Sequence, residues 1–71
     1  MKTHRERQTM RRIREAVRDG ALKEPFRAAE VNRALHIDYA GVFLPKHRVG
    51  NPGRNTEHFV PLQRGLYCLT E

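Results

Sequence analysis

Seventy-one residues suffice for one small domain, because a chain of this length buries only about 60% of its extended surface on folding. Its 14 Lys and Arg residues outnumber its 8 Asp and Glu residues, which gives a net charge of +6. This balance is typical of a nucleic-acid binder, although charge also serves solubility. The lone Cys68 excludes an intrachain disulfide, and no apolar run reaches the roughly 18 residues of a membrane span. We therefore expect a cytoplasmic protein that has no membrane partner.

The N-terminal quarter divides into an arm and a helix. Residues 1–8 are highly charged and have no apolar period, so we expect a basic flexible arm. Apolar residues then recur at helical spacing, which predicts a first helix over 9–19. Thr9 is its expected N-cap, and Gly20 is the expected stop. Its four arginines lie mostly off the apolar stripe and are interpreted as a solvated face: Arg11, Arg12, Arg14 and Arg18.

Two shorter helices follow, separated by a three-residue turn. Residues 28–35 contain strong helix formers with one apolar face, which predicts the second helix. The third is expected over 39–47, with Asp38 as its cap. Pro45 must end or kink this helix, because a proline removes a hydrogen bond and crowds the preceding turn.

The C-terminal third changes its apolar period from 3.6 to two. Residues 51–54 contain the Pro-Gly pair of a type II turn. Beyond this turn, alternating residues predict strands over 56–60 and 66–70, joined by a loop over 61–65. These two strands would pair as an antiparallel hairpin.

One core is expected to unite the helices and the hairpin. On the third helix, Val42 and Phe43 should face that core. The full set of expected core residues is Met10, Ile13, Val17, Leu22, Phe26, Val31, Leu35, Phe43, Phe59, Tyr67 and Leu69.

This order of elements predicts an α+β fold, a small winged helix-turn-helix domain over 9–71, with three helices followed by a two-stranded antiparallel hairpin as the wing. Residues 43–69 resemble the end of winged-helix domains in the group associated with restriction enzymes and chromatin proteins. The shared features are a helix end, a threonine, an aromatic residue and a hairpin closing on Gly-x-Tyr-x-Leu; the matching positions are Thr56, Phe59, Gly65, Tyr67 and Leu69. The resemblance implies a winged-helix fold, usually with DNA as the partner.

Basic and amide side chains concentrate where the third helix and the wing would lie. A helix fits the major groove, where arginine pairs with guanine and asparagine with adenine, and a wing can reach a neighbouring groove or phosphate. We therefore expect duplex DNA binding without catalysis, as in a transcriptional regulator. The residues expected to carry it are Lys46, His47, Arg48, Asn51, Arg54, Asn55, Gln63 and Arg64.

Two other classes of partner stay open. Winged helices often bind proteins, so the domain can instead be a protein–protein interaction module whose first-helix arginines meet an acidic partner. RNA is the third hypothesis and ranks lower. Readers of single-stranded RNA expose stacking aromatic residues, whereas most aromatic residues here are expected in the core.

No catalytic or metal-binding motif is expected. His36, His47, His58 and Cys68 are 11, 11 and 10 residues apart, whereas zinc ligands usually come in close pairs. His47, Asn51 and His58 loosely suggest a His-Asn-His nuclease motif, but that motif needs a hairpin-and-helix metal site after it, and here only a hairpin is predicted. The chain has no serine for a nucleophile elbow, and its glycine-containing turn lacks the Lys-Ser/Thr pair of a phosphate loop. We expect no cofactor and no metal.

Overall fold

The computed structural model describes residues 2–53 and 56–70, with side chains described from Glu6 onward. It confirms the predicted α+β layout, three helices followed by a two-stranded antiparallel hairpin, which is consistent with a winged helix. Among these residues no helix has the length and apolarity needed to cross a membrane. The elements are α1 (Lys2–Asp19), α2 (Ala28–Leu35), α3 (Ala40–Lys46), β1 (Phe59–Gln63) and β2 (Leu66–Leu69).

Helix α1 is longer than predicted. It begins at Lys2, so most of the segment expected to form an arm is helical, in keeping with the good helix formers there. Thr9 is therefore not an N-cap: it is buried within α1, and its hydroxyl shares a 2.8 Å hydrogen bond with the hydroxyl of Tyr39. The predicted end is confirmed, because Gly20 has a φ of 84° and its N–H donates to the carbonyl of Val17.

Side-chain hydrogen bonds connect α2 to the other two helices. The guanidinium of Arg12 donates to the carbonyl of Leu35, the last residue of α2, so this arginine is not simply part of a solvated face. The carbonyl oxygen of the Asn32 side chain accepts the Ala40 N–H at 3.0 Å, which satisfies a free donor at the start of α3. The prediction that Asp38 caps α3 was wrong, because a side chain from α2 takes this role.

Helix α3 passes through Pro45 and ends one residue later. Ala40 and Leu44, four residues apart on one face, are fully buried. Phe43 packs partly buried beside them, whereas Val42 is 73% exposed. The prediction that Val42 faces the core was therefore wrong, because the buried face of α3 is centred on Ala40 and Leu44.

The hairpin turn is tighter than the predicted five-residue loop. Pro61 lies inside β1 opposite Tyr67, and the strands are joined by Arg64 and Gly65 alone. A proline is tolerated in an edge strand, where its missing N–H need not join the ladder. Gly65 has a φ of 81°, a conformation that glycine adopts without steric cost.

Two single-residue bridges bind the hairpin to the rest of the chain. Phe26, just before α2, exchanges two backbone hydrogen bonds of 2.8 and 2.9 Å with Tyr67 of β2. On the other edge Arg48 forms a parallel bridge with Phe59, and the Val49 N–H donates to the Phe59 carbonyl. The Phe26–Tyr67 bridge places the hairpin turn beside the start of α2.

Phe59 lies at the centre of the core. Its ring meets the rings of Phe26, Phe43 and Tyr67 edge-on, with centroids 6.0 to 6.3 Å apart, a favourable arrangement for aromatic pairs. Val17 and Leu69, predicted in the core, are half-buried against it. The buried apolar residues are Met10, Ile13, Leu22, Phe26, Val31, Leu35, Ala40, Leu44, Phe59 and Tyr67.

Candidate nucleic-acid interface

Three of the predicted contact residues are exposed on the elements expected to carry them. Lys46 is the last residue of α3. Gln63 ends β1, and Arg64 follows it in the hairpin turn. The hairpin therefore presents one amide and one guanidinium to solvent side by side.

His47 lies inside the domain and is removed from the predicted contact surface. It is only 3% exposed, and its ring packs 4.6 Å from that of Phe43. Its Nδ1–H donates to the carbonyl of Thr56 at 2.9 Å. The chain turns inward at the end of α3, where the His47 backbone N–H caps the last turn of the helix.

Asn51 holds a turn together. Its side-chain amide donates to the carbonyl of Pro45 at 2.8 Å, and its side-chain oxygen accepts the Gly53 N–H at 2.8 Å. Both ends of this amide are thus engaged within the chain, whereas reading a base would require them to be available. Arg48 is half-buried, with a long 3.4 Å bond from its guanidinium to the Val49 carbonyl.

Two further predicted contacts, Arg54 and Asn55, lie outside the described residues, and so does the type of the turn over 51–54. The part of the predicted surface that the structure describes as exposed therefore consists of Lys46, Gln63 and Arg64, with Arg48 partly exposed.

One arginine that the sequence analysis did not select lies beside the hairpin turn. Arg27 is exposed and precedes α2, and its Nη1 is 3.6 Å from the position that a Cβ atom on Gly65 would occupy. Its backbone N–H donates to the Glu30 carboxylate at 2.8 Å, which fixes the start of the helix. We call Arg27, Gln63 and Arg64 the hairpin-turn patch. Only the pairing of Phe26 with Tyr67 brings Arg27 there, and local sequence patterns do not reveal that pairing.

The outward face of α3 is largely apolar. Gly41 and Val42 are exposed, and Lys46 is the one cation among the seven residues of the helix. Reading base edges in the major groove requires donors and acceptors, which this face has only at Lys46. A DNA complex built on α3 would therefore rest on phosphate and apolar contacts.

The exposed arginines of α1 form a second basic surface. Arg18 lies 3.9 Å from Asp19, with both side chains at least 70% exposed, so this pair contributes little to stability. Among the side chains that the structure describes, the other exposed arginines of the helix are Arg7, Arg11, Arg12 and Arg14.

The four residues weighed as a zinc set do not form a cluster among the described side chains. His36 is exposed at the end of α2, and Cys68 is half-buried in β2. A different set is brought together instead: Glu6, His47 and His58 place one ligand atom each within 4.8 Å of one another.

Comparison of the chain with protein-family models, curated proteins and solved structures finds no match. The class that the fold defines is a small α+β domain of three helices and a hairpin.

Proposed function

We propose that this domain binds double-stranded DNA through its hairpin and the exposed face of α3. The observation that carries the proposal is the hairpin-turn patch, in which the Arg27 guanidinium lies beside Gly65 of the turn that also contains Arg64. Two exposed arginines, one in the hairpin turn and one beside it, suit a contact with the phosphates that flank a groove, because guanidinium groups match phosphate geometry.

The charge of the whole chain favours the same partner. The net charge of +6 attracts a polyanion at long range, and eleven of the 14 cations are arginines. Phosphate contacts of this kind supply affinity and register but carry little sequence information. The proposed function is thus DNA binding with weak sequence preference, by a cytoplasmic protein that performs no catalysis.

Helix α3 contributes in a different way. Its exposed Val42 can contact a thymine methyl group, and Lys46 can bind a phosphate as a point charge. Such contacts favour A·T-containing sites only modestly. Stronger preference would require the side chains of Arg54 and Asn55 to take part.

Binding titrations at several salt concentrations test the proposal. A fluorescently labelled random duplex, a single strand of the same sequence and an RNA duplex should be compared under matched conditions. With about four phosphates contacted, log K for duplex DNA should fall against log salt with a slope of roughly −4. Undetectable binding to duplex DNA at low salt would refute the proposal, and tighter binding to either other probe would reassign the partner.

A second candidate function is protein–protein interaction, which the exposed apolar residues favour. Val42, Leu62 and Val49 are 73%, 53% and 40% exposed. Single exposed apolar residues scattered over a surface are normal, so they support protein binding less strongly than Arg27 and Arg64 support DNA binding. The titration above separates the two functions, because an interaction module has no need to bind duplex DNA.

A further inference from the structure

We propose that Glu6, His47 and His58 form a binding site for one divalent transition-metal ion of the zinc type. The three residues come from separate parts of the chain: α1, the end of α3 and the segment before β1. Two imidazoles and one carboxylate are a donor set that zinc accepts, with a fourth position for water. The site is independent of the proposed DNA contacts, none of which belongs to it.

Two of the three distances between the donor atoms are within about an ångström of those a bound ion requires, and the third, between the two imidazoles, is within 4.8 Å. The Glu6 Oε2 atom is 2.7 Å from His58 Nε2 and 3.9 Å from His47 Nδ1. Ligands held at about 2.0–2.2 Å from zinc in a tetrahedron are roughly 3.3 Å apart. The shorter distance must lengthen and the longer one shorten, each by about half an ångström.

The surroundings hold the two imidazole rings in place. The His47 and His58 ring centroids are 5.3 Å apart, and the Phe43 and Phe59 rings pack against them. The side chain of His47 is 4% exposed and that of His58 is 14% exposed, so ligand ordering costs little on binding. A quarter of the Glu6 side chain is exposed, which leaves solvent access for the fourth ligand.

Binding requires two hydrogen bonds to be exchanged for metal bonds. His58 Nε2–H donates to Glu6, and this proton must move to Nδ1, the other position open to a neutral imidazole, before Nε2 can ligate the ion. The proton on Nδ1 of His47, which now faces the Thr56 carbonyl, must move to Nε2, the other position open to a neutral imidazole. Because the Nδ1 lone pair then points at the Thr56 carbonyl, the His47 ring must also turn away from this oxygen before both rings offer a lone pair to the ion. These exchanges lower the affinity below that of a preformed site without preventing binding.

The test uses the full chain, purified without a histidine tag and stripped of metal. Titration with Zn²⁺ by calorimetry should show one ion bound per chain, and Co²⁺ should give the visible absorption of a tetrahedral complex. At Zn²⁺ concentrations about 100-fold above Kd, the melting temperature should rise by roughly 10 °C or more. Absence of Zn²⁺ binding by the wild-type chain would overturn the proposal.

Substitutions identify the ligands. Glu6→Gln and His58→Gln keep side chains that can hydrogen-bond, and each should weaken Zn²⁺ binding at least about tenfold, the lower end of what even supporting groups around a metal contribute. Two matched controls should leave it unchanged: His36→Asn, since asparagine tolerates the left-handed φ of 58° there, and Cys68→Ala, which removes the thiol. Unaltered binding in His58→Gln or Glu6→Gln, or equal loss in a control, would show that zinc binds elsewhere. His47 is left unaltered because its burial makes misfolding of a variant hard to separate from removal of a ligand.

Discussion

Arg27 and Gly65 are far apart in sequence, yet the Arg27 guanidinium lies over the backbone of Gly65, with Nη1 3.6 Å from where a Cβ atom there would stand. This contact makes the start of α2 and the hairpin turn one surface. A ligand that reaches Arg64 in the turn is therefore within reach of a second arginine from a different element.

Replacing Arg64 or Arg27 with alanine should weaken duplex DNA binding by about fivefold, since one charge-assisted contact at a surface contributes about 1 kcal/mol. The slope of log K against log salt should become shallower by about one unit for each phosphate that the variant no longer binds. Fluorescence anisotropy at several salt concentrations measures both quantities.

Arg18→Ala is the matched control, because it removes the same charge from the last turn of α1, outside the hairpin-turn patch. It should change affinity much less than Arg64→Ala does. If Arg18→Ala or Arg11→Ala abolished binding while Arg64→Ala and Arg27→Ala had no effect, α1 and not the hairpin would be the contact surface.

Substitution of Asn51 tests whether its side-chain amide, which was predicted to contact DNA, stabilises the fold instead. Asn51→Ala removes its bonds to Pro45 and Gly53, so the free energy of unfolding should fall by about 1–3 kcal/mol in urea denaturation. Asn51→Asp keeps the acceptor for Gly53 and should cost less. Unchanged stability in Asn51→Ala, together with a loss of DNA binding, would restore Asn51 to the interface.

Arg12 should contribute to stability although its side chain is exposed. Arg12→Ala removes the hydrogen bond to the Leu35 carbonyl, for which we expect a cost of about 1 kcal/mol after allowing for solvent screening. Arg11→Ala, its exposed neighbour on α1, should be within about 0.5 kcal/mol of the wild type. Equal stability of the two variants in urea would show that the Arg12 hydrogen bond contributes nothing.

The chain should fold without a metal ion. Among the described residues, no buried side-chain nitrogen or oxygen lacks a hydrogen-bond partner, and both His47 and His58 are satisfied within the chain. Protein stripped of metal by a chelator should keep the circular dichroism spectrum of a folded α+β chain and a cooperative melting transition. Unfolding on chelation, reversed by zinc, would mean that the ion is required for folding.

The helices were predictable where local signals are strong. The predicted bounds of 28–35 agree with α2, because helix formers and one apolar face coincide there. The start of α1 was missed, because a charged segment without an apolar stripe resembles a flexible arm even when its residues favour helix. The hairpin was predicted, but its two-residue turn was not. A proline in a strand is tolerated only when that strand lies at an edge of the sheet, and an edge strand can be recognised only once the strand pairing is known.

The candidate sites were harder to predict than the fold. His47 has the same local neighbours whether it faces a groove or the core, and its burial depends on Thr56 and Phe43 around it. Arg27 reaches the hairpin only through the Phe26–Tyr67 bridge. Glu6 is 41 residues before His47 in sequence, so spacing rules for metal ligands do not connect them. The last two relationships are long-range, and a single sequence carries no direct signal for them.

The two single-residue bridges have a consequence for how the protein behaves at high concentration. An isolated hairpin offers two open rows of backbone donors and acceptors, onto which a strand from another molecule can add. Here the chain itself occupies part of each row, with Phe26 against β2 and Arg48 against β1, and Pro61 withholds a donor from the edge that remains. These features protect so small and basic a domain against aggregation by strand addition.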